Sequence, residues 1–207
     1  MKKLIFATAL LLSIAIQAYS QLQNATDNTI AKVKSANANI TTISSNFKRT
    51  SKMAFIDQAV EVDGKFYYTK PQQLSMLYSN SEVFIINGDN VTVGKKGKPR
   101  NVKAKNKQVE ALASTLLSCM AGDVATLNGT LTSTDKSSKY ITYKVKVDFQ
   151  VGKGSITELE LKYDASDMTF RSLNLIEADG SYTLYELQTK TLNQSIDSSV
   201  YETKKQQ

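Results

Sequence analysis

The chain has 207 residues, of which 41% are apolar and 22% are charged, and its formal net charge is +7. This length and composition indicate one ordinary globular domain, or at most two small ones, and exclude collagen, coiled-coil and wholly disordered chains. The sequence contains no His and a single Cys. It therefore excludes Ser-His-Asp and Cys-His catalysis, zinc sites that need His or several Cys, and disulfide bonds within the chain.

The start of the chain predicts a secretory signal peptide. Two lysines precede an apolar run at residues 4–16, and Ala18 and Ser20 supply the small residues that a signal peptidase recognises. A membrane anchor is disfavoured because the apolar run is too short to span a bilayer. We therefore expect a signal peptide at residues 1–20 and a single exported domain at residues 21–207.

The rest of the chain predicts two helices and a long series of strands. Residues 21–39 have roughly helical spacing, and residues 108–121 carry the clearest apolar helical stripe, which ends at Gly122. Elsewhere the apolar residues recur at every second position, which predicts strands that short turns join into antiparallel neighbours. The predicted strands are residues 40–53, 59–69, 74–79, 83–87, 91–94, 140–149, 156–163, 168–177 and 182–189.

Three segments give weaker signals. Residues 54–58 predict a turn, residues 94–107 a polar loop, and residues 123–131 either a short helix or a loop. The polar loop holds seven basic residues and no acidic one, and it lacks the Gly-Lys-Ser/Thr ending of a phosphate-binding loop. It is either a solvated loop or a surface that docks on anionic lipid or on an acidic partner. The docking residues would be Lys95, Lys96, Lys98 and Arg100.

Antiparallel strands with one apolar face need a second layer to cover that face. Two amphipathic helices interrupt the strand series, so we expect a mainly β (α+β) fold in which a strongly curved antiparallel sheet carries the helices on its concave face. Helices in this position either seal a filled core or act as a lid over a ligand cavity. The sequence pattern leaves both possibilities open.

Several segments carry a family resemblance. Gly64-Lys-Phe-Tyr-Tyr-Thr-Lys-Pro71, followed by Leu74-Ser-Met-Leu-Tyr78, resembles the outer-membrane lipoprotein carrier family, LolA. In that family a glycine precedes a strand of large residues, then a basic residue and a proline, and a second aromatic-rich strand follows. Further segments that are similar to the family are residues 43–47, 83–88, 179–183 and 192–197, with Tyr201.

The resemblance implies an unclosed antiparallel β-barrel whose helices form a lid over an apolar hollow. It implies a monomeric periplasmic carrier, neither an enzyme nor a cofactor or metal protein, that holds the acyl chains of a lipoprotein. Such a carrier takes its cargo from an inner-membrane ABC-type release complex and delivers it to an outer-membrane acceptor or to the membrane itself. The mild basic charge and the predicted export both argue against nucleic acid as a partner.

The resemblance and the strand period together name candidate residues. Lys70 stands where the family has a basic lid latch, usually Arg; because Lys lacks the planar fork of Arg, we expect a looser latch, or a lysine that only extends to solvent. Tyr67 and Leu77 should lie on the opposite face of the sheet. The candidate lipid-binding residues, each of which has plain core packing as its alternative, are Phe47, Phe66, Tyr68, Leu74, Met76, Tyr78, Phe84, Ile86, Leu112, Leu116 and Met120.

Two other functions remain open. A related half-barrel module could carry or sense a different lipid, and an exported hydrolase could use a pair of carboxylates. Cys119 is predicted to be a small buried apolar residue.

Overall fold

The computed structural model describes residues 26–95, 97–103, 107–151 and 154–202. The predicted signal peptide, the first residues of the predicted N-terminal helix and Lys96 lie outside the described residues. Residues 26–38 form helix α1, within the predicted range. Helix α2 is Lys107–Met120, and short 3-10 helices are Val124–Thr126 and Ser198–Tyr201.

The strands of the described residues form one antiparallel sheet, so the predicted mainly β fold is confirmed. The sheet has eleven strands, in the order β6-β5-β4-β3-β2-β1-β11-β10-β9-β8-β7. Their bounds are β1 Thr42–Lys52, β2 Val60–Thr69, β3 Gln73–Tyr78, β4 Glu82–Asn87, β5 Asn90–Lys95, β6 Lys98–Lys103, β7 Thr130–Lys136, β8 Tyr140–Val151, β9 Gly154–Asp164, β10 Phe170–Glu177 and β11 Tyr182–Leu192.

The sheet is an unclosed barrel whose two edges are joined by α2. Two meanders, β1–β6 and β7–β11, meet where β1 pairs with β11. The edge strands β6 and β7 do not pair with each other in the described residues. Helix α2 leaves from β6, leads to β7 and contacts β5 and β8. The helix therefore lies across the gap that would otherwise need further strand pairing.

The main core lies on the face of the sheet that α1 and α2 cover, which we call the inner face. Side chains from β1–β5 and β8–β11 pack there with Val33 of α1 and with Leu116 and Met120 of α2. Gly64 is required on this face, because a Cβ atom there would overlap the ring of Phe47 and would lie 2.6 Å from the carbonyl oxygen of Leu77.

The opposite, outer face carries a smaller apolar cluster. Val83 and Ile85 of β4 pack there with Tyr201, and Tyr67 and Leu77 pack against them. The prediction that Tyr67 and Leu77 lie on the opposite face is therefore confirmed. The C-terminal segment covers this part of the sheet.

The sequence analysis was wrong about part of residues 94–107 and did not predict β7. Lys98–Lys103 is strand β6, which pairs with β5, and Thr130–Lys136 is strand β7, which pairs with β8. Both are edge strands that backbone hydrogen bonds hold on one side, so neither needs an apolar face with a two-residue period. Basic side chains on an edge strand also discourage pairing with other chains.

Candidate functional site

The inner face brings together all eleven candidate lipid-binding residues in one apolar cluster. Most of them are buried: Phe47 and Leu74 are 0% exposed and Met76 is 3% exposed. Tyr78, Phe84 and Leu112 are half-buried and pack against the same cluster. In this structure the protein's own side chains fill the inner face, so a lipid would need the covering helices to move.

Helix α2 covers the middle of the inner face. Its residues Ala113, Leu116 and Cys119 are buried in the inner-face cluster. The hydroxyl of Tyr163 on β9 donates a 2.9 Å hydrogen bond to the carbonyl oxygen of Cys119. Burial raises the pKa of Tyr163 well above its usual value, which keeps the hydroxyl a donor. Burial also raises the pKa of the Cys119 thiol, so this side chain behaves as the predicted small apolar residue.

Clefts run along both flanks of α2. One, of about 600 Å³, separates the helix from β4 and β5 and is lined by Val109, Ala113 and Leu117 on the helix and by Ile86 and Val91 on the strands. The other, of about 240 Å³, separates the helix from β8 and β9. The helix therefore packs on the sheet through its buried stripe and keeps contacts with β5 and β8, while a cleft opens along each of its flanks.

Helix α1 is the second part of the cover. Its buried Asn37 donates hydrogen bonds of 2.8 Å to the carbonyl oxygens of Val33 and of Met168 in the β9–β10 turn. Lys34 forms a 2.8 Å ion pair with Asp123, just beyond α2. Gly122 allows the close approach of the two helices, because a Cβ atom at this position would lie only 2.9 Å from the Val33 carbonyl oxygen. The two covering helices thus contact each other.

Lys70 lies at the end of β2, beside the last turn of α1. Its ammonium group donates a 2.8 Å hydrogen bond to the carbonyl oxygen of Ala38, and its backbone N–H donates to the carbonyl oxygen of Thr41 at 2.8 Å. The last carbonyl groups of a helix lack partners within the helix and carry partial negative charge, so an ammonium group is favourable there. This geometry supports a latch between β2 and α1, and that role stays a prediction.

One end of the inner face carries a charged pair that the sequence analysis missed. Arg49 follows Phe47 at the two-residue period, forms a 3.0 Å ion pair with Glu82 and lies 4.7 Å above the ring of Tyr78. Phe47 meets the same ring edge-on at 5.1 Å. Burial, with the neighbouring Tyr185, raises the pKa of Tyr78 well above its usual value. The strand alternation could have placed Arg49 on the inner face.

Comparison with known proteins identifies the family. The profile of the family described as "Outer membrane lipoprotein carrier protein LolA" matches residues 38–204. The chain belongs to the LolA family. The comparison with curated proteins finds no match.

Solved structures with TM-scores above 0.5 show the same fold at low identity, and a further structure is similar below that score. A DUF1329 family protein from Desulfovibrio piger has a TM-score of 0.51 and 7% identity over 87% of this chain and 97% of that chain. An uncharacterized conserved protein from Thermus thermophilus has a TM-score of 0.51 and 7% identity over 86% of this chain and 93% of that one. A LolA superfamily protein from Nitrosomonas europaea has a TM-score of 0.42 and 8% identity over 84% and 97%.

The remaining candidates of this LolA-family chain lie near the β5–β6 turn. Lys95, Lys98 and Arg100 are exposed, and Lys96 lies outside the described residues. Their docking role stays a prediction. Within the described ranges, no helix is both long and apolar enough to span a membrane, and no group of His, Cys, Asp or Glu side chains is arranged to hold a metal ion.

Proposed function

We propose that this LolA-family chain is an exported, periplasmic carrier that binds the acyl chains of lipoproteins on its inner face and moves them from the inner to the outer membrane. One observation carries the proposal: α2 lies across the gap of an unclosed barrel, over a continuous apolar face, with a cleft along each flank.

The filled inner face is compatible with reversible lipid binding. Burying an acyl chain stabilises the complex by roughly 0.8 kcal/mol per methylene group. The chains must first displace α1 and α2, and the lost contacts of the covering helices offset part of this gain. A carrier that must release its cargo needs such a cost to limit its affinity, and a permanently open cavity would not provide one.

The existing clefts are too small for three acyl chains, so binding of the cargo would require the covering helices to move. Pockets of about 300–1,000 Å³ suit a drug-sized molecule. The larger cleft, at about 600 Å³, is in this range, and a molecule with three long acyl chains exceeds it. We therefore propose that cargo enters beside α2 and lifts it, while Leu117 and Val109 on the flank of the helix contact the chains first.

Native mass spectrometry of the chain mixed with a synthetic triacylated lipopeptide tests the proposal. We expect a one-to-one complex, with weaker retention of a diacyl phospholipid or a free fatty acid. Preferential retention of the phospholipid or the fatty acid would favour a carrier or sensor of another lipid. Release of free acyl chains would favour a hydrolase, and the absence of any complex would contradict all lipid-carrying functions.

Two half-buried leucines provide a matched pair of variants. Leu117 lines the larger cleft, whereas Leu77 packs in the outer-face cluster. Leu117→Ser should weaken lipopeptide binding by about tenfold, since it removes apolar contact area at the site of entry. Leu77→Ser carries the same chemical change on the other face and should leave binding unchanged. Equal losses in both variants would indicate a general loss of stability.

The handover partners belong to the same proposal. An inner-membrane ABC-type complex would load the carrier, and an outer-membrane acceptor or the membrane would receive the cargo. The exposed Lys95, Lys98 and Arg100 would form part of the docking surface. Replacing these three with Gln should slow cargo transfer in a reconstituted assay while leaving lipopeptide binding intact, because the three residues lie outside the inner-face cluster.

A further inference from the structure

The hairpin between β1 and β2 exposes an unusual set of apolar side chains. Within the described residues, the exposed large apolar side chains are Met53 (64%), Phe55 (90%), Ile56 (50%) and Val60 (61%). All four lie in residues 53–60, which we call the tip. The sequence analysis predicted a turn at residues 54–58, and apolar residues such as Phe55 and Ile56 are unusual for an exposed turn.

The structure holds the tip in a defined shape. The backbone N–H of Ile56 donates to the carbonyl oxygen of Met53 at 3.2 Å, which closes a turn. The N–H of Ala54 donates to the hydroxyl oxygen of the buried Ser181 in the β10–β11 turn at 3.0 Å. These bonds present Phe55 outward at the apex. The inner-face cluster does not include the tip, so the carrier site does not explain these side chains.

Basic residues lie at the same end of the sheet as the tip. Strands β1 and β5 run in the same direction, so the turns that follow them share one end. The turn after β5 carries the exposed Lys95 and Lys98, three strands from β2, or about 14 Å across the sheet at the usual strand spacing. The register places this turn level with Gly64, so the tip projects beyond it by the four residues from Gly64 to Val60. The nearby acids are Asp57 in the tip, Asp179 in the β10–β11 turn, and Asp63 and Glu61 on β2, of which Glu61 forms a 2.6 Å ion pair with Lys48.

We infer that the tip inserts into the surface of an anionic phospholipid bilayer. A protruding apolar loop accompanied by exposed lysines matches the two layers of such a surface, since the apolar side chains enter the acyl boundary and the ammonium groups meet the headgroups. The formal net charge, +7 for the full sequence and +5 once Lys2 and Lys3 leave with the predicted signal peptide, favours the same partner. The inference goes beyond cargo binding, because a chain can dock on a membrane without carrying a lipoprotein.

A single tryptophan can report this insertion, because the sequence contains none. We expect the emission of Phe55→Trp to shift to shorter wavelength on vesicles of phosphatidylglycerol and phosphatidylcholine. The shift should be smaller on phosphatidylcholine alone and should decrease with added salt. Tyr140→Trp, a half-buried position at the opposite end of the sheet, is the control for position along the sheet and should show no shift. No shift at position 55, or equal shifts at both positions, would overturn the inference.

A second variant tests the contribution of the apolar side chains themselves. Phe55→Ser with Ile56→Ser should lower the partition coefficient of the protein onto the mixed vesicles, measured by sedimentation, by about tenfold or more. The circular dichroism spectrum should stay unchanged, because both residues are exposed. Both proteins are purified in the exported form, without the predicted signal peptide at residues 1–20, so the difference reports the tip alone. Unchanged sedimentation would overturn the inference. So would concentration-dependent dimerisation that shifts the emission of the Phe55→Trp reporter without vesicles, since the tip would then be a contact between copies.

Discussion

The ammonium group of Lys70 donates a 2.8 Å hydrogen bond to the carbonyl oxygen of Ala38 and so connects the end of β2 to the last turn of α1. The two residues are 32 positions apart in the sequence. The bond pairs a cation with a carbonyl group that the helix itself leaves without a partner. Strand β2, which also supplies Phe66 and Tyr68 to the inner face, thereby restrains one covering helix.

We predict that Lys70→Met loosens α1. The substitution keeps an apolar stem but removes the donor, and because the side chain is exposed the loss should be only about 0.5–1 kcal/mol. Hydrogen exchange followed by mass spectrometry should show about two- to fivefold lower protection in residues 26–38. Lys70→Arg keeps a donor and should resemble the wild type. If Lys70→Met leaves the exchange of α1 unchanged, Lys70 is not a latch.

We predict that Tyr163→Phe loosens α2. The variant removes the hydroxyl that donates to Cys119 but keeps the ring, which contacts Tyr143 and Phe170 edge-on with centroids 5.9 Å away in each case. The free energy of unfolding should fall by about 1 kcal/mol, and exchange within α2 should rise. Lipopeptide affinity should increase slightly, because the free energy needed to displace α2 opposes binding and the variant lowers this cost. Tyr140→Phe is the control, and a decrease in affinity for Tyr163→Phe would contradict this role of α2.

We predict that Gly64→Ala lowers stability by about 1–3 kcal/mol, because the new methyl group would overlap the ring of Phe47 and the Leu77 carbonyl. Chemical denaturation measures the effect. Combining Gly64→Ala with Phe47→Leu should recover part of the loss in a double-mutant cycle, since the smaller side chain leaves room for the methyl group. Strictly additive effects of the two substitutions would show that Phe47 and Gly64 do not interact.

Strands β9, β10 and β11 are joined by a nearly buried charge network. Arg171 donates two hydrogen bonds to the carboxylate of Asp164, at 2.9 and 2.8 Å. Lys190, whose side chain is 6% exposed, donates to the same carboxylate at 2.6 Å and also bonds to Thr169. Burial opposes ionisation of Asp164, but the bonds from Arg171 and Lys190 outweigh it and hold the pKa of this carboxyl below its usual value.

The lowered pKa of Asp164 determines the direction in which stability should change with pH. A carboxyl group whose pKa is lower in the folded state stabilises that state above about pH 4, and the stabilisation is lost as the pH falls through the folded-state pKa. Asp164→Asn should therefore cost about 2–4 kcal/mol at neutral pH, because it leaves the buried ammonium group of Lys190 without its counter-ion. The difference from the wild type should shrink below about pH 4. A difference in unfolding free energy that is independent of pH would contradict the assignment.

The sequence predicted the parts of the fold that an apolar period defines. Strands that bury one face, such as β3 and β8, were found to within a few residues, and the same period assembled the inner-face residues. Strands β6 and β7 were missed because backbone pairing at a sheet edge leaves little apolar pattern. Arg49 escaped notice because a single charged residue in a strand is usually solvated, whereas here Tyr78 and Glu82 enclose it.

The packing of the two covering helices could not be predicted from the sequence. It depends on contacts such as Lys70–Ala38 and Tyr163–Cys119, which join positions 32 and 44 residues apart and leave no local pattern. The exposure of Phe55 could not be predicted either, because it also depends on the folded structure. The turn was predictable, but only the folded sheet shows that nothing in the described residues covers its apolar side chains.

The most direct test of the carrier mechanism is hydrogen exchange of the chain with and without the triacylated lipopeptide. Cargo that displaces the cover should increase exchange in residues 26–38 and in α2, while β2, β3 and β9 beneath them stay protected. Saturable lipopeptide binding that leaves both helices as protected as in the free chain, or binding that changes exchange only at residues 53–60, would contradict the account.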